Sequence, residues 1–252
     1  MEYLELNKSE FDKNKNLLTE GYESKIYTYI FDNREILIKK YYDSDQVDIN
    51  KIELINKLKT GVLIKPDKLV KVDNDVIGFS MKYMKKFYPI CVMKDIMTDE
   101  EKYNLLLNLK EEIINLRNQN CIYADLNVKN IITDGNKAYL CDSVNVKIEN
   151  YNFDQISSTM KKYYDVKDTF DGIDCYMLNL LTIYLFNDIN YDDIIERIES
   201  TLTLIFNRQK YIDYKGITDN DECMNLCYEM ISDKPTKGFL IDHITMEKEK
   251  TI

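Results

Sequence analysis

The sequence has no tryptophan, one histidine (His243), three prolines and seven glycines in 252 residues. This scarcity, beside abundant Tyr, Lys, Asn and Ile, reads as the bias of an AT-rich coding genome and not as a mechanism. No apolar run is long enough to cross a bilayer; the best, around Leu178 to Phe186, is short and interrupted. The opening MEYLELNKSEFDKNK is charged throughout and has no apolar h-region, so no signal peptide is expected. Basic residues are outnumbered, 34 Lys and Arg against 44 Asp and Glu, for a formal net charge of −10. That balance argues against non-specific nucleic-acid binding, which needs a basic surface to displace counterions, though it leaves room for one locally basic pocket. The six cysteines are scattered; only Cys223 and Cys227 are close, and a lone histidine gives them little support as a zinc site. The periodicity around that pair fits a helix packed into a core, and the expected compartment is a reducing cytoplasm.

What is present is an ordinary globular composition, 44% apolar and 31% charged, long enough for one domain or two packed lobes. Up to about residue 84 the pattern suggests strands. Lys25 to Phe31 and Glu35 to Tyr42 are rich in β-branched and aromatic residues and are joined by the turn pair Asp32-Asn33. A helix is predicted over Gln46 to Thr60, with Ile49, Ile52, Ile55 and Leu58 at threes and Gly61 as its stop. Strands follow at Lys68 to Val72 and Val76 to Tyr83, turning at Asp73-Asn74-Asp75. Beyond residue 84 helices take over. Asp99 to Gln119 places Leu106, Leu109, Ile113 and Leu116 on one face. A β pair, Asn130 to Thr133 and Ala138 to Cys141, turns at Asp134-Gly135-Asn136. Further helices are predicted over Asp174 to Phe186, Tyr191 to Asn207, Asp221 to Ile231 and the C-terminal stretch. The plan is a small sheet-rich lobe and a larger helical one, with a boundary near Met84 to Pro89 and a ligand cleft expected there.

The most informative stretch is Ile122-Tyr123-Ala124-Asp125-Leu126-Asn127-Val128-Lys129-Asn130-Ile131-Ile132. Asp125 and Asn130 stand five apart on a loop leaving a long helix, and Asp142 follows seventeen residues after Asp125, at the end of an apolar strand. A carboxylate that accepts a hydroxyl proton, with an Asn and an Asp that hold Mg²⁺ on a nucleotide, is the apparatus of phosphoryl transfer. In these residues the chain resembles the protein-kinase superfamily, whose catalytic loop reads H-R-D-L-x-x-x-x-N and whose metal-binding Asp opens D-F-G.

The resemblance extends along nearly the whole chain, in order. Leu18 to Tyr27 is similar to the glycine-rich hairpin, with Gly21 kept and Thr19 and Ser24 in place of the outer glycines; Gly21, Ser24 and Ile26 would lie on the nucleotide. Ile36-Leu37-Ile38-Lys39 resembles V-A-I-K, which makes Lys39 the partner of the α- and β-phosphates. Glu53 would orient Lys39, with Asp48 as the other candidate. Met81, Tyr83 and Met84 resemble the gatekeeper and adenine-binding hinge. Asp174-Cys175-Tyr176-Met177-Leu178 is similar to the start of the buried helix that braces the catalytic loop, and Met230 to Ile244 resembles the closing helices. The resemblance implies an α+β, bilobal protein-kinase-like fold: an N-lobe over 1–84, with an antiparallel sheet and one helix, and a helical C-lobe over 85–252. It implies ATP and Mg²⁺ as cofactors, Asn130 and Asp142 as metal ligands and Asp125 as the base. The expected activity is that of a cytoplasmic Ser/Thr-type kinase acting on a protein or small-molecule hydroxyl, with no nucleic-acid or membrane partner.

The departures bear on function. Tyr123 and Ala124 replace the His and Arg of the catalytic loop, so an activation-loop phosphate would find no arginine to receive it. Asn127 stands where a γ-phosphate lysine is usual, and Lys129 is the candidate to take that charge over. Asp142-Ser143-Val144 keeps the metal Asp but lacks the glycine. No A-P-E is recognisable between Asn145 and Asp171, and Gly238 lies near where its arginine partner would stand. The same residues therefore leave two alternatives open: a small-molecule kinase resembling the aminoglycoside and choline phosphotransferases, and a nucleotide-binding pseudokinase acting as a binding module.

Overall fold

A computed structural model of the chain describes residues 1–196, 198 and 221–244. It is a mixed α and β protein whose residues group into two compact units. The first comprises Met1–Lys59, Leu63–Phe87 and Cys141–Val144; the second comprises Thr60–Val62, Tyr88–Leu140 and the described residues from Asn145 onward.

The first unit is built on a six-stranded sheet. Its strands are β1 (Tyr3–Leu6), β2 (Asn16–Glu20), β3 (Ser24–Phe31), β4 (Arg34–Tyr41), β5 (Pro66–Val72) and β6 (Asp75–Lys82), in the spatial order β1-β5-β6-β4-β3-β2. Helix α1 (Lys8–Asn14) follows β1, and α2 (Ile49–Lys57) lies between β4 and β5. Two hairpins close on Asp32-Asn33 (φ 48° and 58°) and Asp73-Asn74 (φ 51° and 81°). Both are tight left-handed turns that match the twist of the flanking strands, and Asp and Asn are the non-glycine residues that tolerate them best. Leu4, Leu6, Phe11, Tyr27, Tyr29, Ile38 and Val70 bury together as a core of this unit.

Two features differ from the sequence expectation. Strand β1 and helix α1 were not expected: Leu4 and Leu6 alternate with Tyr3 and Glu5 for only two periods, too few to stand out. Pairing parallel to β5, from Tyr3 opposite Leu69 to Leu6 opposite Val72, is what makes β1 a strand. The helix predicted over Gln46 to Thr60 is shorter. Asp43 caps a 3-10 turn at Ser44–Gln46, and Asp48 then caps α2 by accepting the Lys51 amide. Gly61 does not stop that helix; the Lys65 ammonium does, on the carbonyls of Asn56 and Leu58 at 2.9 and 2.8 Å.

The second unit is mostly helical. Its elements are β7 (Tyr88–Pro89), α3 (Ile90–Met93), α4 (Asp99–Asn118), β8 (Cys121–Ile122), β9 (Ile131–Thr133), β10 (Ala138–Leu140), β11 (Lys147–Ile148), α5 (Ser158–Lys167), α6 (Ile173–Phe186), α7 (Tyr191–Glu196) and α8 (Asp221–Ile231). Thr98 and Glu101 form a reciprocal capping box at the start of α4, and Asn120 (φ 54°) ends it in the left-handed region. Every residue of α6 is buried, in keeping with a sequence apolar all round. Helix α4 packs against it through its buried face, Leu105, Leu106, Leu109, Ile113 and Leu116. Asn179, near the middle of α6, is satisfied: it donates to the Gly238 carbonyl (3.2 Å) and accepts from the Leu240 amide (2.8 Å).

Residues 199–207 of the helix expected from Tyr191 lie outside the described residues. Near the C-terminus the expected helix is a 3-10 turn, Leu240–His243. Helix α5 was not expected; Ser157 caps it and Asp168 (φ 51°) ends it. Lys167, in its last turn, donates to the carbonyls of Glu229, Ser232 and Lys234 at 2.6, 2.7 and 2.6 Å and so caps the far end of α8. No helix among the described residues is long and apolar enough to cross a membrane.

Candidate functional site

Lys39 sits in the middle of β4, in register with Ile26 on β3 and Phe79 on β6. It is 5% exposed, and a buried ammonium needs an opposite charge. That charge is Asp142, whose Oδ1 lies 2.6 Å from Lys39 Nζ, across 103 residues of sequence. Asp142 has φ 52°, a conformation Asp adopts more readily than most side chains. The Tyr41 ring lies 5.3 Å from the same ammonium. Gly78, which the sequence did not single out, lets β6 approach here: a Cβ on it would fall 1.9 Å from the Lys39 carbonyl oxygen.

The structure does not bring Glu53 to Lys39. Glu53 is 43% exposed at its side chain and accepts from the Met1 amino group at 3.0 Å. The expectation that Glu53 orients Lys39 is therefore corrected: the carboxylate on Lys39 is Asp142. Asp48, the other candidate, is committed to capping α2.

The remaining nucleotide candidates of this unit lie around β2, β3 and β6. Gly21 donates its amide to the Ser24 carbonyl (2.9 Å), closing the turn between β2 and β3. A Cβ on Gly21 would meet nothing nearer than that carbonyl, at 3.6 Å. Tyr42 donates to Glu20 (2.6 Å) and to the Gly21 carbonyl (3.2 Å), and Lys25 pairs with Glu20 at 3.0 Å. The Tyr42 hydroxyl first, then the Lys25 ammonium, hold the Glu20 carboxyl below its usual range. Ser24 is buried and Ile26 half-buried. Met81 is buried at the end of β6 opposite Leu37, while Tyr83 and Met84 follow the strand half-buried, with the Met84 carbonyl accepting from Phe87 at 3.1 Å.

In the second unit the loop between β8 and β9 is fixed by buried anchors, Tyr123, Ala124, Leu126 and Val128, that leave the polar residues between them to one another. Asp125 accepts from Asn127 Nδ2 at Oδ1 (2.8 Å) and from Asn130 Nδ2 at Oδ2 (2.6 Å). Asn127 Oδ1 in turn accepts the amides of Lys129 (2.9 Å) and Asn130 (3.1 Å). The residue standing in place of the usual lysine is thus the brace of the loop. Tyr191 donates to the Leu126 carbonyl at 3.4 Å; burial, then the Asp125 charge, push its phenol up, so it stays a neutral donor. Both oxygens of Asp125 thus receive amide hydrogens, which fixes the orientation of the carboxyl group.

Lys129 is exposed, and a cavity of about 560 Å³ has Asp125, Asn127, Lys129, Ser158, Tyr184 and Asp188 on its wall. The Asp174 carboxylate holds Arg117 at the end of α4, accepting from Nε at Oδ2 (2.7 Å) and from Nη2 at Oδ1, and accepts the Cys175 amide at 3.0 Å. That ties the start of α6 to the helix from which the loop departs. Arg117, Tyr191 and Gly78 carried no local signal in the sequence; each acts on a partner distant along the chain.

Among the described residues no cluster of three or more His, Cys, Asp or Glu could hold a metal by itself. Cys227 is buried on α8; the Cys223 side chain lies outside the description. Asp142, in the first unit, carries a carboxylate and Asn130, in the second, an amide oxygen; each is a hard ligand type of the kind Mg²⁺ takes. No protein-family model matches the sequence, and no curated protein matches it.

Proposed function

We propose that this chain is an ATP- and Mg²⁺-dependent phosphotransferase of protein-kinase-like, bilobal organisation, transferring the γ-phosphate to a hydroxyl of the Ser/Thr type. The observation that carries the reading is the 2.6 Å contact between Lys39 and Asp142. The residue named from sequence as the phosphate lysine and the one named as the metal carboxylate, 103 positions apart, are partners within one unit. Further support comes from the antiparallel array β2 to β6 with a single helix inserted before β5, and from the Asp125–Asn130 loop on a separate unit rich in helix.

In the proposed reaction the Lys39 ammonium holds the α- and β-phosphates, exchanging part of its contact with Asp142 for phosphate oxygens. Asp142 and Asn130 would hold Mg²⁺, which supplies charge neutralisation on the phosphates. Asp125 accepts the acceptor's hydroxyl proton, and its two amide donors keep the carboxylate oriented until transfer. Lys129, exposed beside Asp125 on the cavity wall, is the basic residue available to the γ-phosphate. The lobes are taken as 1–84 and 85–252, the metal Asp142 excepted.

A second reading, a small-molecule kinase, is favoured by one observation. Asp95, Asp188 and Asp192 join Asp125 on the cavity wall against Lys94 and Lys129, an acidic balance suited to a cationic acceptor. The test is radiolabelled ATP turnover with Mg²⁺, with and without a generic basic protein, beside an Asp125→Ala control. Label on protein that vanishes in the control supports the protein kinase. ATP consumed only with added small amino-alcohols moves the assignment to the second reading. Nucleotide bound without turnover leaves a binding module.

A further inference from the structure

Strand β2 is an edge of the six-stranded sheet, with β3 as its one neighbour among the described strands. An edge strand carries a row of backbone N–H and C=O groups that no second neighbour pairs. All five residues of β2 are exposed, and they include two adjacent leucines, Leu17 at 54% and Leu18 at 48%. The strand also carries a bulge. Asn16 and Leu17 stand opposite Thr28 and Tyr27, but Thr19 and Glu20 stand opposite Ile26 and Lys25, so Leu18 is the extra residue.

Residues directly opposite one another share a face of the sheet, and so do alternate residues along β3. Leu17 and Glu20 therefore lie on the face of Lys25 and Tyr27, and Asn16 and Thr19 on the face of Ile26 and Thr28. Lys15 reaches the first of these faces, its ammonium 5.3 Å from the centre of the Tyr27 ring. In a regular strand, residues three or five apart point to opposite faces; the bulge sets these on the same one. As a result Lys15-Asn16-Leu17-Leu18-Thr19-Glu20 matches its own reverse: basic against acidic, amide against hydroxyl, leucine against leucine.

We propose that β2 is a self-association edge, pairing antiparallel with β2 of a second copy about a two-fold axis between Leu17 and Leu18. In that register Lys15 of one copy faces Glu20 of the other, Asn16 faces Thr19, and Leu17 faces Leu18. Each pairing occurs twice, as an isologous contact requires. Bulges and charges often blunt an edge against pairing. Here the two ends of the strand carry opposite charge, so an antiparallel copy brings unlike charges together, whereas a parallel one sets like against like. Lys15 and Glu20 have partners within their own chain, Asp12 for the first, Lys25 and Tyr42 for the second. The Glu20 side chain is still 49% exposed and has room for a second ammonium. A second copy adds a cross-strand ion pair at each end and covers the leucines of both chains. One pair of strands makes a small interface, so the dimer forms and parts with concentration. The inference does not draw on the phosphotransferase reading, and either can fail alone.

The experiment follows the mass of the full chain by sedimentation, from low to high micromolar concentration. The expected result is a reversible monomer–dimer equilibrium. Lys15→Glu and Glu20→Lys, each alone, set like charges together at both ends and should weaken association by roughly tenfold or more. Mixing the two variants should restore it, because each then meets opposite charge at both ends. Leu17→Cys and Leu18→Cys leave the charges intact and report the register. Mixed under mild oxidation, they should form a disulfide between copies, identified by fragmentation. A chain that stays monomeric throughout overturns the proposal. Association that neither charge variant weakens, or that mixing them does not restore, overturns it by placing the contact elsewhere. A disulfide formed by Leu18→Cys alone and not by the mixture overturns the register.

Discussion

The two candidate centres are built in opposite ways. Around Asp125 the amide donors are local: Asn127 and Asn130, two and five residues on, supply them, and the apolar residues between them pin the loop. Around Lys39 the charge partner is distant: its counter-ion is 103 residues away, and the glycine that admits the neighbouring strand is on β6. A local centre is written in residue spacing and can change without disturbing the rest of the unit. A distant centre ties segments together, so its residues serve folding and chemistry at once.

That contrast predicts different responses to substitution. Asp125→Asn should cost roughly 100- to 10,000-fold in phosphate transfer, with little change in melting temperature; a large loss of stability would show that the loop is not self-contained. Asp142→Asn should remove transfer as well, but also destabilise by on the order of 2–4 kcal/mol, because it leaves the Lys39 ammonium buried without its carboxylate. The low end is expected, since the Asp142 side chain is 30% exposed. Denaturant melts of Asp142→Asn, Lys39→Met and the double variant would close the cycle, and additive effects would deny the pair.

The glycines sharpen the same distinction. Gly78→Ala should cost about 1–3 kcal/mol through its clash with the Lys39 carbonyl, whereas Gly21→Ala, with ordinary space around it, should change stability by less than about 0.5 kcal/mol. Equal melting shifts would contradict the account of Gly78. Burial pushes the phenols of Tyr163 and Tyr176, both in the second unit, up to about 12. Each contribution is whole below the ordinary phenol range near 10 and is lost as pH rises through about 12. Stability should therefore fall over that interval, and Tyr163→Phe should flatten the fall. The smallest effect expected is that of Glu53→Gln. With its carboxylate part-exposed and away from Lys39, it should leave transfer within about threefold and stability within about 1 kcal/mol. A hundredfold loss of transfer would restore Glu53 to the nucleotide site.

What was legible in the sequence follows from the same division. The hairpins were readable because Asp32-Asn33 and Asp73-Asn74 carry their own turn geometry. In a chain with seven glycines, Asp and Asn take most of the left-handed positions, including Asn120, Asp142 and Asp168. Helix α4 was readable from its apolar spacing and α6 from its largely apolar composition. Strand β1, by contrast, exists through its pairing with β5, and α2 ends where Lys65 reaches back to it. The three carbonyls held by Lys167 belong to a segment more than sixty residues away. None of these has a local signature. At the site, residue types and order singled out Lys39, Asp125, Asn130 and Asp142. The exchange of partners between Glu53 and Asp142 depends on how α2 and the segment after β10 pack, and spacing along the chain does not encode that.

The central claim is that the Lys39–Asp142 pair forms the phosphate end of a nucleotide site. The direct measurement is the melting temperature with and without ATP and Mg²⁺, for the native chain and for Lys39→Met. A ligand at a hundredfold its dissociation constant stabilises by about 2.7 kcal/mol, so the native chain should melt several degrees higher with nucleotide and the variant should not respond. No rise in the native chain, or an equal rise in both, would contradict the claim.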